Sequence, residues 1–157
     1  MKKLLFLFLL PLAIFSACSK KSDTATVDVA AQAAIDDAAI KTYITAHPEI
    51  TNVKDTLGVY YQVLTAGIGS YPTDNSTITV GYTGKLLNGT QFETNSAYTQ
   101  VLGNLIVGWR IVLPHVRYGS KVLMIIPSRY GYGTYSTAKI PANSVLIFTV
   151  DLSTPGA

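Results

Sequence analysis

The residues with the greatest chemical content lie between Leu102 and Gly133, in LGNLIVGW and then KVLMIIPSRYGYG. Trp109 follows an apolar run, Leu105 to Val107, and a Gly108 that reads as a turn former. The strand-like run from Val122 to Ile126 breaks at Pro127 and leads into a tyrosine-glycine loop. The groups that usually make and break bonds are missing from this stretch. It has no paired carboxylates and no serine or cysteine beside a histidine. His47 and His115 are too far apart in the sequence to suggest metal-ligand spacing. Apolar and aromatic surface with a few phenolic hydroxyls remains. Such a site grips an uncharged, hydrophobic group, and its chemistry must need little else.

The elements that position these residues follow from patterning. A chain of 157 residues is one domain by length, with room for a core. Val59, Tyr61 and Val63 alternate against Tyr60, Gln62 and Leu64, and Ile78, Val80 and Tyr82 against threonines. A period of two marks strands with one buried face. Asn88-Gly89 predicts a tight turn between KLL and TQF. Val122, Met124 and Ile126 form another alternating face, and Val145 to Leu152 the last strand, with Phe148 on the face of Leu146 and Val150. A short helix is expected after Trp109, from Arg110 to Val116, brief or kinked because it contains Pro114. Val29 to Ala46 is Ala-rich and stops before Pro48, predicting one helix capped by Asp28. Ile40, Tyr43 and Ile44 share a narrow face suited to docking, and Asp37 and Lys41 pair at i,i+4. Many strands with few helices give an antiparallel α+β domain.

The N-terminus reads differently. Lys2-Lys3 precede an apolar stretch from Leu4 to Phe15, followed by Ser16-Ala17-Cys18. Twelve helical residues reach only ~18 Å, short of a ~30 Å hydrocarbon core, so residues 1–17 read as a signal peptide and not a spanning helix. FSAC resembles a bacterial lipobox, which implies lipidation of Cys18, the chain's single cysteine. The expected location is then the bacterial cell envelope, on its periplasmic or outer-membrane face. Residues 18–28 form a polar tether, 29–52 the N-terminal helix and linker, and 53–157 the main domain. Without Lys2 and Lys3, ten basic residues face nine acidic ones, too even a balance to suggest nucleic acid. Arg110, Arg117, Lys121 and Arg129 form a loose basic group best read as solvated surface.

Taken in order, VGYTGKLLNGTQFETN, LGNLIVGW, GSKVLMIIPSRYGYG and IPANSVLIFTVDL resemble the successive signatures of FKBP-type peptidyl-prolyl isomerases, over Gly58 to Leu152. Each motif is weak alone; four in sequence are specific. The resemblance implies a twisted antiparallel sheet, an FKBP-like half-barrel, wrapped around one short helix, with the N-terminal helix as an extra. It implies prolyl cis/trans isomerisation without a cofactor or metal, acting on proline-containing segments of exported proteins and open to macrolide inhibitors. By that resemblance Trp109 is the pocket floor, and Tyr82, Phe92, Tyr98 and Phe148 are its aromatic walls. Leu105 and Ile106 form the rim, the Ile106 N–H holds the ligand, the Tyr132 hydroxyl reaches a substrate carbonyl, and Ile140 precedes the IP turn. Glu93 stands where the family usually has Asp, facing a pocket tyrosine, and Tyr98 where it usually has Phe.

Two function classes follow. One is an envelope-anchored isomerase that assists folding of exported proteins. The other is a chaperone-like binding module that holds proline-containing or unfolded segments in the same pocket. Peptide isomerisation separates them.

Overall fold

The computed structural model describes residues 29–156. The expected signal peptide, Cys18, the tether and the Asp28 cap lie outside the described residues. Helix α1 (Val29–Ala46) comes first, followed by β1 (Lys54–Thr56) and β2 (Val59–Thr65). Next are β3 (Thr77–Leu86), β4 (Gln91–Val101) and helix α2 (Val107–Val112). Strands β5 (Lys121–Ile126) and β6 (Leu146–Ser153) complete the fold. The six strands form one antiparallel sheet in the order β1-β2-β5-β6-β3-β4. The α+β architecture is the one expected.

The sheet has a helix on each face, which explains its patterning. Val59, Val80, Val122, Met124, Ile126, Phe148 and Val150 point to one face, where Trp109, Val112 and Leu113 pack on them. This is the inner face. On the outer face, Ile40 of α1 is fully buried against Ile125 and Ile147, with Tyr43, Ile44, Tyr60 and Leu123 around it. Hence β5 reads as five apolar residues without a break: both of its faces are covered, and alternation is lost where both sides are dry. The narrow face read on α1 does dock on the domain, and the Lys41 ammonium lies 2.8 Å from Asp37 as expected.

Two local expectations change. The short helix starts at Val107, so Trp109 lies within it, and it ends at Val112 instead of running on to Val116. Leu113–His115 continues as a 3-10 turn, which accommodates Pro114 near its start where no N–H is required. Gly108 is likewise no turn former. It is a helical residue whose absent side chain lets α2 press on β5; a Cβ there would stand 2.4 Å from the Ile126 Cγ2. The Asn88-Gly89 turn forms as expected. Gly89 has φ +85°, and its N–H donates to the Leu86 carbonyl at 2.9 Å.

Gly108→Ala must push α2 away from β5 or force Ile126 from its rotamer. Overpacking of this kind costs ~1–3 kcal/mol. The expected result is a lower urea midpoint with an unchanged m-value; a midpoint equal to wild type would show that the helix–strand spacing is slack.

Candidate active site

The site is built where α2 crosses the inner face, and the strand geometry selects what surrounds it. On β3, Tyr82 and Gly84 face inward opposite Val150 and Phe148 of β6. Strand β4 would present every second residue to that face, but its register slips twice. Tyr82 pairs with Asn95 whereas Val80 pairs with Tyr98, so an extra residue is accommodated between them. This bulge changes the parity of the strand and brings Tyr98 to the side used by Glu93 and Asn95. The second slip lies between Gly84 and Lys85, which pair with Glu93 and Gln91 and leave Phe92 as the extra residue. Phe92 is buried beneath the site while its neighbour Glu93 stays at the rim.

The aromatic rings meet edge to face. Trp109 is 5.3 Å from Tyr82 and 5.2 Å from Phe148 between ring centroids, with interplanar angles of 87° and 86°. Tyr82 lies 6.1 Å from Phe148 and 6.3 Å from Tyr98, and Phe92 lies 5.6 Å from Phe148. T-shaped pairs add ~0.5–1.5 kcal/mol each beyond their burial, so these rings hold one another in place. They enclose a cavity of about 330 Å³, at the lower end of ligand-pocket sizes.

Polar groups are few and placed at the edges. The Ile106 carbonyl accepts the N–H groups of Trp109 at 3.0 Å and Arg110 at 3.3 Å. The Ile106 N–H donates to no acceptor among the described residues, and so remains free at the rim. The Trp109 Nε1 is buried without a hydrogen-bond partner among them. Burial raises the Tyr82 phenol well above its ordinary value, and the nearby Glu93 carboxylate raises it further. Burial also raises Tyr132, with a smaller push from the Glu93 charge. Both phenols are therefore neutral donors throughout the physiological range.

Eight of the residues singled out in the sequence line this cavity: Tyr82, Glu93, Tyr98, Leu105, Ile106, Trp109, Tyr132 and Phe148. Phe92 and Ile140 do not. They are 4% and 5% exposed, packed in the core behind the rings. Asn95 and Asn104 line the cavity and were missed. Asn95 was accessible to the period-two rule, two residues after Glu93, but its letter alone suggests a turn. The loose basic group disperses. Arg110 faces Asp74 at 3.5 Å, Arg117 stacks on Tyr71 at 4.4 Å, Lys121 faces Asp151 at 3.2 Å and Arg129 stacks on Tyr130 at 4.6 Å.

Glu93→Gln removes the negative charge beside two phenols whose ionisation that charge opposes. The Tyr82 pKa should fall toward the value set by burial alone, and Tyr132 should follow by less, as read by NMR titration of the tyrosine ring carbons. An unmoved Tyr82 would mean that the carboxylate faces solvent.

Comparison with known proteins gives the same answer as the geometry. Residues 69–153 match the FKBP-type peptidyl-prolyl cis-trans isomerase family. The chain is 37% identical over 118 residues to the FKBP-type isomerase FkpA of Buchnera aphidicola subsp. Schizaphis graminum, covering 71% of this chain and 47% of that one. It is 34% identical over 118 residues to the peptidyl-prolyl isomerase Mip of Coxiella burnetii, covering 71% and 51%. The chain thus spans about half the length of these relatives. The crystal structure of Escherichia coli FkpA superimposes with a TM-score of 0.68 at 32% identity, over 79% of this chain and 61% of that one. A Pseudomonas syringae peptidyl-prolyl isomerase gives 0.67 at 26% identity, over 80% and 93%. The matched segment carries β3, β4, β5, β6, α2 and every cavity-lining residue, so the chain belongs to the FKBP-type peptidyl-prolyl cis-trans isomerase family.

Proposed function

We propose that this protein catalyses cis/trans exchange of X-Pro bonds in polypeptides, assisting the folding of exported proteins. The observation that carries the reading is the aromatic well of Trp109, Tyr82 and Phe148, with a free backbone donor at its rim. Amide resonance holds the X-Pro bond planar against a barrier of ~18–20 kcal/mol. Rotation makes and breaks no covalent bond, so no acid, base or nucleophile is required. The site must only fit the twisted amide better than either planar isomer. A twisted amide has lost resonance and charge separation, and an apolar well favours it over the more polar ground state.

In this reading the proline ring sits on Trp109 between Tyr82 and Phe148. The Ile106 N–H and the Tyr132 hydroxyl hold carbonyls flanking the rotating bond, and Leu105 and Tyr98 cover the mouth. Phe92 and Ile140 support the walls from behind. The same well would take macrolide inhibitors of the family, with the Tyr98 hydroxyl adding a polar point to its wall.

Acceleration of isomerisation in an X-Pro peptide by the purified protein is the direct test, with a preference for a bulky apolar residue before proline. Tyr82 and Tyr132 ionise only above the ordinary phenol value of about 10, so both donors persist and the rate should be flat between pH 6 and 8. Tyr132→Phe should lower kcat/KM about fivefold, the worth of one neutral hydrogen bond of ~1 kcal/mol. Saturable binding of proline peptides without acceleration would replace catalysis by the holding function.

We further propose that Cys18 carries lipid and tethers the domain to the bacterial envelope after removal of residues 1–17. The support is the short apolar run ending in FSAC. No helix among the described residues is long and apolar enough to cross a membrane. Two or more acyl chains anchor a protein stably where one does not. Cys18→Ser should move the protein from the membrane fraction to the soluble fraction. Retention equal to wild type would show that another segment anchors it.

A further inference from the structure

Asp36, on the helix that lies outside the matched family segment, is one of the few charged or polar residues buried in the described chain, at 2% exposure. A buried carboxylate is costly unless its oxygens are satisfied, and here they are. The Asp36 Oδ2 accepts the Ser128 N–H at 2.8 Å and the Ser128 hydroxyl at 2.6 Å, and Oδ1 accepts the Gln32 amide at 2.8 Å. Docking alone would not require this group. Ile40, one turn further along the same helix, docks on the sheet by apolar burial.

Ser128 begins the loop that carries Tyr132. Its carbonyl accepts the N–H of Gly131 at 2.9 Å and of Gly133 at 2.8 Å, the two residues that bracket Tyr132. The Gly133 carbonyl in turn accepts the Asn143 N–H at 2.7 Å. Asp36 thus fixes one side of Ser128, and Ser128 fixes both neighbours of Tyr132 from the other. The next residue of α1 holds the helix in register: the Asp37 Oδ1 accepts the Tyr60 hydroxyl of β2 at 2.6 Å.

We propose that Asp36 is a positioning residue for the isomerase site, setting the Tyr132 hydroxyl from the opposite side of the loop and making α1 part of the catalytic unit. The proposal rests on the isomerase reading above. Asp36→Asn keeps the volume but presents at least one N–H to a ring of donors, so the anchor on Ser128 loosens.

A double-mutant cycle on the full protein separates positioning from general support. Asp36→Asn should lower kcat/KM about fivefold, no further than the loss of the Tyr132 hydroxyl itself. In a Tyr132→Phe background the same substitution should lower it less than about twofold, because interacting residues are non-additive. Equal losses in both backgrounds would overturn the proposal, as would unchanged activity in Asp36→Asn. If Asp36→Asn does not fold, Ser128→Ala, which removes only the hydroxyl contact, runs the same cycle with the same criteria. Amide hydrogen exchange gives a readout independent of turnover. Gly131 and Gly133 should exchange faster in Asp36→Asn while the paired amides of β5 and β6 keep their protection. Unchanged exchange at the two glycines would overturn the proposal even in a wild type that proves inactive, whereas inactivity alone would count only against the isomerase reading.

Discussion

The contact between α2 and β5 sets the geometry of everything around it. Because Gly108 has no side chain, the helix comes down onto Ile126 until Trp109 lies against the inner rings. Were the helix to stand further off, the indole would lose its edge-to-face contacts with Tyr82 and Phe148, and the cavity would have no floor. A second close approach works in the same direction: a Cβ on Gly84 would stand 2.5 Å from the Phe92 ring and 2.9 Å from Phe148. Two missing side chains, one on a helix and one on a strand, bring aromatic residues from four elements together. Packing at this density transmits small displacements. The well is a property of the whole inner face and not of any one residue.

Polarity is distributed with the same economy. The hydroxyls of Tyr82 and Tyr132 are neutral, the Ile106 N–H is uncharged, and the one carboxylate, Glu93, sits at the rim against a phenol. The buried indole N–H of Trp109 has no protein acceptor among the described residues. A hydrogen-bonded water or hydroxyl there would satisfy it but would also make the floor polar.

Much of this was legible in the sequence, and the parts that were not share a cause. Strand alternation located β2 and β3; β5 and β6 stood out as apolar runs because both of their faces are covered, and the Asn88-Gly89 turn is local chemistry. Strand β4 resisted because its two bulges break the period on which such reading depends; the parity of Tyr98 and the burial of Phe92 follow from pairing with β3, not from their neighbours in the chain. Gly108 was misread for a similar reason, since its meaning lies in Ile126, on another element. Asp36 was invisible. An aspartate on an Ala-rich helix looks solvated, and its partner Ser128 is separated from it by 92 residues. Asp37 was noticed because its Lys41 partner is one turn away. The family resemblance supplied the long-range pairing for the cavity, but not for the helix that the family segment leaves out.

Trp109 is the only tryptophan in the chain, and tyrosines are plentiful, ten in all. Tyr82 touches its indole ring directly. Light absorbed by the phenols therefore drains to a single emitter at the bottom of the cavity, in surroundings that are apolar when the cavity is filled. The protein contains its own optical gauge of occupancy: colour and intensity of emission report whether something rests on the floor, with no label attached and no second indole to dilute the signal.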